Sequence, residues 1–157
     1  MKNDMNADDA ASARNAFVFV EPPIASAAMM GEVGGGEREG ARSPLVCMLS
    51  CGVITGFGAV KNVARVVPGS SVATIGTGGI GLNCIQGAAI CGSKVNIAVD
   101  LVDEKIQAAL RLGATHGINP VNSDIKDEIE RLTDGRGADY VFVAAGSATA
   151  VEQALTL

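Results

Sequence analysis

A run of closely spaced glycines and a later aspartate are the residues of this sequence best suited to hold a ligand. They lie in a segment that reads as strand, glycine turn, helix and second strand, from Ser71 to Asp100. Gly76 would allow a sharp turn, Gly78 the close approach of a pyrophosphate, and Gly81 close helix–strand packing. The N–H groups and positive dipole end of the helix would face the phosphates. Asp100 lies close to the ~20-residue offset of an acid that accepts hydrogen bonds from a ribose diol, so the segment predicts dinucleotide binding.

The elements that must position these residues alternate regularly. Apolar residues at helical spacing occupy 45–67, and Ser71–Ile75 follows as a strand. The later segments predict, in order, helix Gly79–Cys91, strand Val95–Val99, helix Asp103–Leu112, strand His116–Asn119, helix Ser123–Leu132 capped by Ser123, strand Asp139–Ala145 and a helix from Ala148. This order predicts an α/β fold, a Rossmann-type parallel sheet with helices on both faces. A complete dinucleotide-binding sheet has further strands, so we expect this one to be cut short at its C-terminal end.

The first 44 residues have a different character. We predict a poorly structured or atypical segment over 1–44, with one short strand possible at Phe17–Val20 and a glycine-rich linker over Gly31–Gly40. A boundary is placed near Pro44, and 45–157 is predicted to be a partial NAD-binding domain.

Composition excludes several classes of protein. The chain has 157 residues and a net charge of −5, which argues against nucleic acid as a partner because such partners select a basic face. No apolar stretch reaches the ~20 residues of a membrane span, and the acidic amino terminus fits neither a secretory signal nor a transit peptide. A cytoplasmic protein without a membrane partner is expected. The four cysteines suggest no disulfide framework, and Cys84 and Cys91 share a helix face as small buried thiols.

Several motifs in series resemble one known family. They run from Leu49-Ser-Cys-Gly-Val-Ile-Thr-Gly-Phe-Gly through the glycine turn and Ala98-Val-Asp to Leu112-Gly-Ala-Thr-His, Ile118-Asn-Pro and Gly137-Ala-Asp. Together they resemble the cofactor-binding domain of zinc-dependent medium-chain alcohol dehydrogenases. The branch of glutathione-dependent formaldehyde dehydrogenase and its bacterial relatives is nearest. The resemblance covers 45–157, whereas 1–44 does not resemble that family's catalytic domain.

The resemblance implies a role for each matching residue. Cys51 matches a ligand of the catalytic zinc, and Thr55 a catalytic-site threonine near the nicotinamide. The remaining matches bind the cofactor NAD: the phosphate turn Gly76, Thr77, Gly78, Gly79, Ile80 and Gly81; the ribose acid Asp100 with Leu101 and Lys105; and the stretch Ala144, Ala145 and Gly146.

A zinc site contained within this chain is not expected. A catalytic zinc needs three protein ligands and an open position, and the family takes its other ligands from the catalytic domain. The single histidine, His116, is interpreted as structural or superficial. Cys47 lies one helical turn before Cys51, so a pair of thiolates on one helix face is conceivable.

The implied activity of the parent enzyme is oxidation of a primary alcohol or hydroxymethyl adduct, with hydride transfer to NAD. Asp100 favours NAD over NADP because a carboxylate repels a 2′-phosphate. The chain lacks an evident catalytic domain, so we expect a fragment, and whether it is itself an enzyme stays open. The small-molecule partner is an alcohol or aldehyde, and the intact family forms homo-oligomers. The alternatives are a non-catalytic NAD-binding module and a zinc-independent quinone or enoyl reductase domain. Asp100 and Cys51 count against the reductase.

Overall fold

The computed structural model describes residues 16–19 and 49–157. Five strands form one sheet: β1 Ala16–Phe19, β2 Ser71–Ile75, β3 Val95–Val99, β4 His116–Ile118 and β5 Tyr140–Val143. The α-helices are α1 Ile54–Gly58, α2 Gly79–Ile90, α3 Asp103–Arg111, α4 Ile125–Leu132 and α5 Ala148–Ala154. Two π-helical segments, Leu49–Val53 and Ala59–Val63, flank α1, and we call the whole of 49–63 the leading helix.

All the strands are parallel, in the order β1-β5-β2-β3-β4. Ser71 is opposite Val95, Val72 is opposite Tyr140, and Ile97 is opposite His116. Each residue of β2 is buried, and accordingly the strand has no charged residue and no regular alternation of apolar and polar side chains. The parallel α/β fold inferred from the sequence is therefore confirmed.

The core lies on both faces of the sheet because successive side chains of a strand point to opposite sides. Ala73, Ile75 and their neighbours pack against buried isoleucines of α4 and alanines of α5. Val72 and Phe142 face the other way, toward Val60 of the leading helix and toward Cys84 and Ala88 of α2. Helices thus cover both faces, as the strand–helix alternation predicted.

The structure refines several predicted elements. The apolar run at Phe17–Val20 contributes the strand Ala16–Phe19, which pairs with β5 at one edge of the sheet. The prediction that Ser123 caps α4 is wrong. The helix begins one residue later than predicted, at Ile125, so Asp124 is the cap. The Oδ1 of Asp124 accepts hydrogen bonds from the N–H groups of Lys126 and Asp127.

The remaining predictions for the N-terminal segment concern residues outside the described part of the chain. They are the linker Gly31–Gly40, the boundary near Pro44 and the position of Cys47. In the part that is described, none of the helices has the length and apolarity needed to cross a membrane.

Candidate functional site

The predicted site lies where the strand order of the sheet reverses. The chain proceeds from β2 through β3 to β4 on one side, and then returns to β5 on the other side of β2. In open parallel sheets, ligands bind in the crevice outside the carboxyl ends of strands at such a switch point. The glycine turn follows β2, and Ala144 follows β5, so both lie at this crevice.

Two of the glycines are required by contacts within the protein itself. Gly76 has a φ of +90°, and a Cβ there would lie 2.9 Å from the carbonyl oxygen of Ala144. A Cβ at Gly81 would overlap the carbonyl oxygen of Gly76. These two positions shape the turn and allow α2 to start directly against it.

The glycines between them face open space. Neither Gly78 nor Gly79 has a heavy atom within 4 Å of the position of an added Cβ. Gly78 precedes α2 without a side-chain cap, and the N–H of Leu82 donates to its carbonyl oxygen at 2.9 Å. The N–H groups of the first turn, at Gly79, Ile80 and Gly81, therefore have no partner within the helix. Open space beside unpaired N–H groups and a helix dipole suits an anionic group such as a phosphate.

Asp100, directly after β3, is tied to the glycine turn by hydrogen bonds. Its Oδ2 accepts from the N–H of Thr77 at 2.8 Å and from the Thr77 hydroxyl at 2.9 Å. Its Oδ1 accepts from the N–H of Val102 at 3.1 Å and lies 4.0 Å from the Nζ of Lys105. The Asp100 side chain is 10% exposed, whereas the Lys105 side chain is 53% exposed.

These contacts hold Asp100 in its ionised form. Burial opposes ionisation and by itself would raise the pKa of Asp100. Hydrogen bonds from the N–H and hydroxyl of Thr77 and from the N–H of Val102, with the positive charge of Lys105, outweigh it and lower the pKa below its usual value. A fixed carboxylate thus stands beside the glycine turn.

A cleft of about 390 Å³ opens at this edge of the sheet. It brings together the predicted residues of three separate chain segments, namely Gly76, Gly78, Asp100, Leu101, Lys105, Ala144 and Ala145. Besides Ile75 and Val99, which end β2 and β3, four lining residues were not predicted: Pro120, Ser147, Ala150 and Gln153. Their position could have been inferred, because Pro120 follows β4 and the other three follow β5, at the same ends of parallel strands.

Other predicted cofactor residues lie beside or behind the cleft. Thr77 is 1% exposed and lies beneath the turn, and Gly81 is buried behind it. Ile80 is half-buried in the first turn of α2, while Gly79 and Gly146 are exposed.

The leading helix carries Cys51 and Thr55 toward the same end of α2. Both residues are half-buried. A Cβ at Gly52 would lie 3.8 Å from the carbonyl oxygen of Gly79 and the same distance from Nδ2 of Asn83. The segment of Cys51 therefore packs beside the first turn of α2, although neither Cys51 nor Thr55 lines the cleft.

Metal ligands are not gathered around Cys51 in the part of the chain that the structure describes. Within 16–19 and 49–157, no group of three or more His, Cys, Asp or Glu side chains could hold a metal ion. His116 is exposed, and its Nδ1 lies 2.8 Å from the hydroxyl of Thr115. The described residues thus do not by themselves fit a zinc centre, whereas the turn, the helix end and Asp100 fit a dinucleotide.

A larger groove of about 490 Å³ lies further along the sheet, between α3 and α4. Its polar lining includes Asp103 and Glu128, whose carboxylates accept hydrogen bonds from Asn119 and Arg131 respectively. None of the site residues predicted from the sequence lines it. Its volume exceeds that of the cleft, but of these two openings it is the cleft that places a glycine with open surroundings, Gly78, near a carboxylate.

Comparison with known proteins places this geometry in context. The family model for zinc-binding dehydrogenases matches residues 79–157. The S-(hydroxymethyl)glutathione dehydrogenase of Paracoccus denitrificans is 42% identical, in an alignment covering 75% of this chain and 33% of that protein.

The solved structures that resemble this chain include alcohol dehydrogenases. An alcohol dehydrogenase zinc-binding domain protein from Burkholderia ambifaria is 39% identical to this chain and superposes with a TM-score of 0.69. The match covers 76% of this chain and 32% of that protein. The benzyl alcohol dehydrogenase of Acinetobacter calcoaceticus is 36% identical, with a TM-score of 0.69. That match covers 76% of this chain and 33% of the benzyl alcohol dehydrogenase. The present chain thus spans about a third of the length of these relatives.

Proposed function

The chain belongs to the family of zinc-binding dehydrogenases, and on that premise we propose that its cleft binds NAD. The observation that carries the proposal is the hydrogen bond that holds the Asp100 carboxyl group beside a glycine turn whose central glycines face open space. The unpaired N–H groups of Gly79 and Ile80 would donate to the pyrophosphate, and Asp100 would accept from the adenosine ribose with Lys105 nearby. Ala144, Ala145 and Gly146 would flank the bound cofactor.

The parent activity that we propose is oxidation of a primary alcohol or hydroxymethyl adduct. NAD, when bound, supplies the hydride acceptor. This chain's part in that reaction is to bind and orient, through the turn, Asp100 and the half-buried Thr55. Cys51 would serve as one zinc ligand in an assembly whose other ligands come from outside the described residues. Cytoplasmic location and homo-oligomeric assembly of the parent enzyme are part of the same proposal.

Calorimetric titration of the purified chain with NAD and NADP tests the cofactor assignment. NAD should bind more tightly, because Asp100 repels the 2′-phosphate of NADP. Asp100→Ala should lower NAD affinity by about tenfold or more, the effect of losing a hydrogen bond to a charged group. Asp103→Ala is the matched control, since it removes the same charge from an exposed position outside the cleft. Tighter binding of NADP by the wild-type chain would contradict the assignment.

Gly78→Ala and Gly81→Ala distinguish a glycine that would leave room for the ligand from one that packing within the protein requires. Gly78 has a φ of −74° and open surroundings, so Gly78→Ala should leave the melting temperature unchanged while lowering NAD affinity by about tenfold or more. Gly81→Ala should destabilise the fold itself by about 1–3 kcal/mol, because its Cβ would overlap backbone. Undiminished NAD binding by Gly78→Ala would show that the phosphates lie elsewhere.

A non-catalytic NAD-binding module is the second candidate. It is favoured by the contrast between a cleft that gathers Gly76, Gly78 and Asp100 and the absence, within the described residues, of three potential metal ligands in one place. Turnover is the test that can exclude the module. We expect the purified chain to bind NAD but to form no NADH when an alcohol is added, a result that fits both candidates, whereas alcohol-dependent NADH formation would exclude the module.

A further inference from the structure

Thr77 occupies the second position of the glycine turn, yet it does not line the cleft. Its side chain is 1% exposed. Both of its donors, the backbone N–H and the hydroxyl, point to the same atom, Oδ2 of Asp100, at 2.8 and 2.9 Å. Any residue except proline supplies the N–H at this position, but the hydroxyl on Cβ that is the second donor comes only from threonine or serine.

The remaining oxygen of Asp100 has a different environment. Oδ1 accepts from the N–H of Val102 at 3.1 Å, and it is the oxygen nearer to Lys105, which lines the cleft. A carboxylate has about four acceptor positions, two on each oxygen. Thr77 therefore fills both positions of Oδ2, and the free position lies on Oδ1.

We propose that the Thr77 hydroxyl is a positioning group for ligand recognition, which engages Oδ2 of Asp100 so that Oδ1 is the oxygen presented to a ribose hydroxyl. This inference rests on the proposed function, since it assumes that NAD is the ligand of the cleft. Thr77 itself does not touch the ligand. It acts through Asp100, and it orders the carboxylate before the ligand arrives, which lowers the entropic cost of binding.

The burial of Thr77 makes its hydroxyl hard to replace. With valine in its place, a methyl group would face Oδ2, and the protein leaves water no room to take over the lost hydrogen bond. The carboxylate would then lose part of its support and rotate more freely. Serine, in contrast, keeps the hydroxyl on the same Cβ and should keep the contact.

The charge of Asp100 responds to the same contact. The two donors of Thr77 are among the groups that lower the pKa of Asp100 against the opposing effect of burial. Among the described residues, Lys105 is the charged side chain that pairs with Asp100. Removing the hydroxyl should raise the pKa of Asp100 toward its usual value. We expect NAD binding to use the ionised form of Asp100. On acidification, the variant should therefore begin to lose NAD affinity at a higher pH than the wild type does.

Three variants of the full chain test the proposal: Thr77→Val, Thr77→Ser and the control Thr74→Val. Thr74 is also buried, but its hydroxyl has no hydrogen-bond partner among the described residues. The titration of the Asp100 carboxyl carbon is followed by NMR without ligand, and NAD affinity is measured by calorimetry across pH. Thr77→Val should raise the pKa of Asp100 and lower NAD affinity by about tenfold, whereas Thr77→Ser and Thr74→Val should match the wild type.

The outcomes separate this inference from the proposed function. Failure of the wild-type chain to bind NAD overturns the proposed function, and with it the ligand role of Thr77. Normal NAD affinity and an unchanged Asp100 titration in Thr77→Val overturn the positioning role alone. If Thr77→Val does not fold, the wild type and Thr77→Ser still test the proposal. The hydroxyl proton of Thr77 must then be protected from exchange and shift with the titration of Asp100, and the hydroxyl proton of Thr77→Ser must do the same. Absence of either overturns the inference.

Discussion

Thr74 and Thr77 lie close together at the carboxyl end of β2, and the side chains of both are buried. The hydroxyl of Thr77 donates to Asp100, whereas the hydroxyl of Thr74 has no partner within the described part of the chain. A buried hydroxyl without a partner costs free energy relative to a methyl group of the same shape. The same residue type therefore holds the carboxylate of Asp100 at one position and weakens the fold at the other.

Thr74→Val should accordingly raise the free energy of unfolding, by about 1 kcal/mol. Valine keeps the shape and the strand preference of threonine, and removes the unpaired oxygen. Urea denaturation followed by circular dichroism measures the change. Thr133→Val is the matched control, because the buried Thr133 hydroxyl donates to Ile129 and accepts from the N–H of Gly137. That variant should lose about 1–3 kcal/mol. An equal loss in Thr74→Val would contradict the argument.

At the scale of elements, glycines let the leading helix and α2 approach each other closely. A Cβ at Gly56 would lie 2.5 Å from the carbonyl oxygen of Ile80 and 2.8 Å from Cβ of Asn83. A Cβ at Gly87 would lie 3.2 Å from Cβ of Val60. This contact sets Cys51 and Thr55 beside the first turn of α2, so the packing of two helices determines where those side chains lie.

Gly56→Ala should destabilise the protein by about 1–3 kcal/mol, because the neighbouring atoms are mostly backbone and cannot move aside cheaply. Gly52→Ala is the control in the same helical stretch, since its Cβ would meet other atoms only at ordinary contact distances of 3.8 Å and beyond. Thermal unfolding compares the two variants. We expect the control to be neutral or slightly stabilising, as alanine is the better helix former. Similar losses in both variants would show that the helix contact is looser than described.

At the scale of the whole molecule, one sheet with helices on both faces brings distant parts of the chain together. Phe17 pairs with Val141, and Ser71 is joined to Asp139 by hydrogen bonds from its N–H and hydroxyl to Oδ2, each 2.8 Å long. The core between the sheet and α2 contains Cys84, whose side chain is fully buried. Burial raises the pKa of the Cys84 thiol to about 12, so this thiol is protonated and shielded in the folded state.

Labelling of Cys84 by a thiol reagent should therefore report unfolding of the whole domain. In a variant with Cys47, Cys51 and Cys91 replaced by serine, labelling should be slower than in the unfolded chain by a factor on the order of 10³ or more. It should accelerate with urea in parallel with the loss of circular dichroism. A variant that keeps Cys91 alone is the control, because that thiol is half-buried and should react without unfolding. Rapid labelling of Cys84 in the folded protein would contradict the core assignment.

Much of the fold could be predicted because the patterns that specify strands, turns and helices each lie within a few neighbouring residues of the sequence. Burial on both faces leaves β2 without charged residues, and helix boundaries lie near turn residues such as Gly113, whose φ is +111°. The helix cap at Asp124 was missed because neighbouring Ser123 has an equally suitable side chain, and only the backbone distinguishes the two. Pro120 and Gln153 were missed in the cleft because neither carries a distinctive motif.

The sequence by itself determined the strand–turn–helix unit, the glycine turn and the offset of Asp100, since these follow from backbone sterics and periodicity within one continuous segment. The tertiary structure decided what those residues touch. Pairing of β2 with β5 brings Ala144 against Gly76, and the turn places the hydroxyl of Thr77 on the carboxylate of Asp100. Such contacts depend on distances between residues far apart in the chain, which spacing along the sequence does not encode.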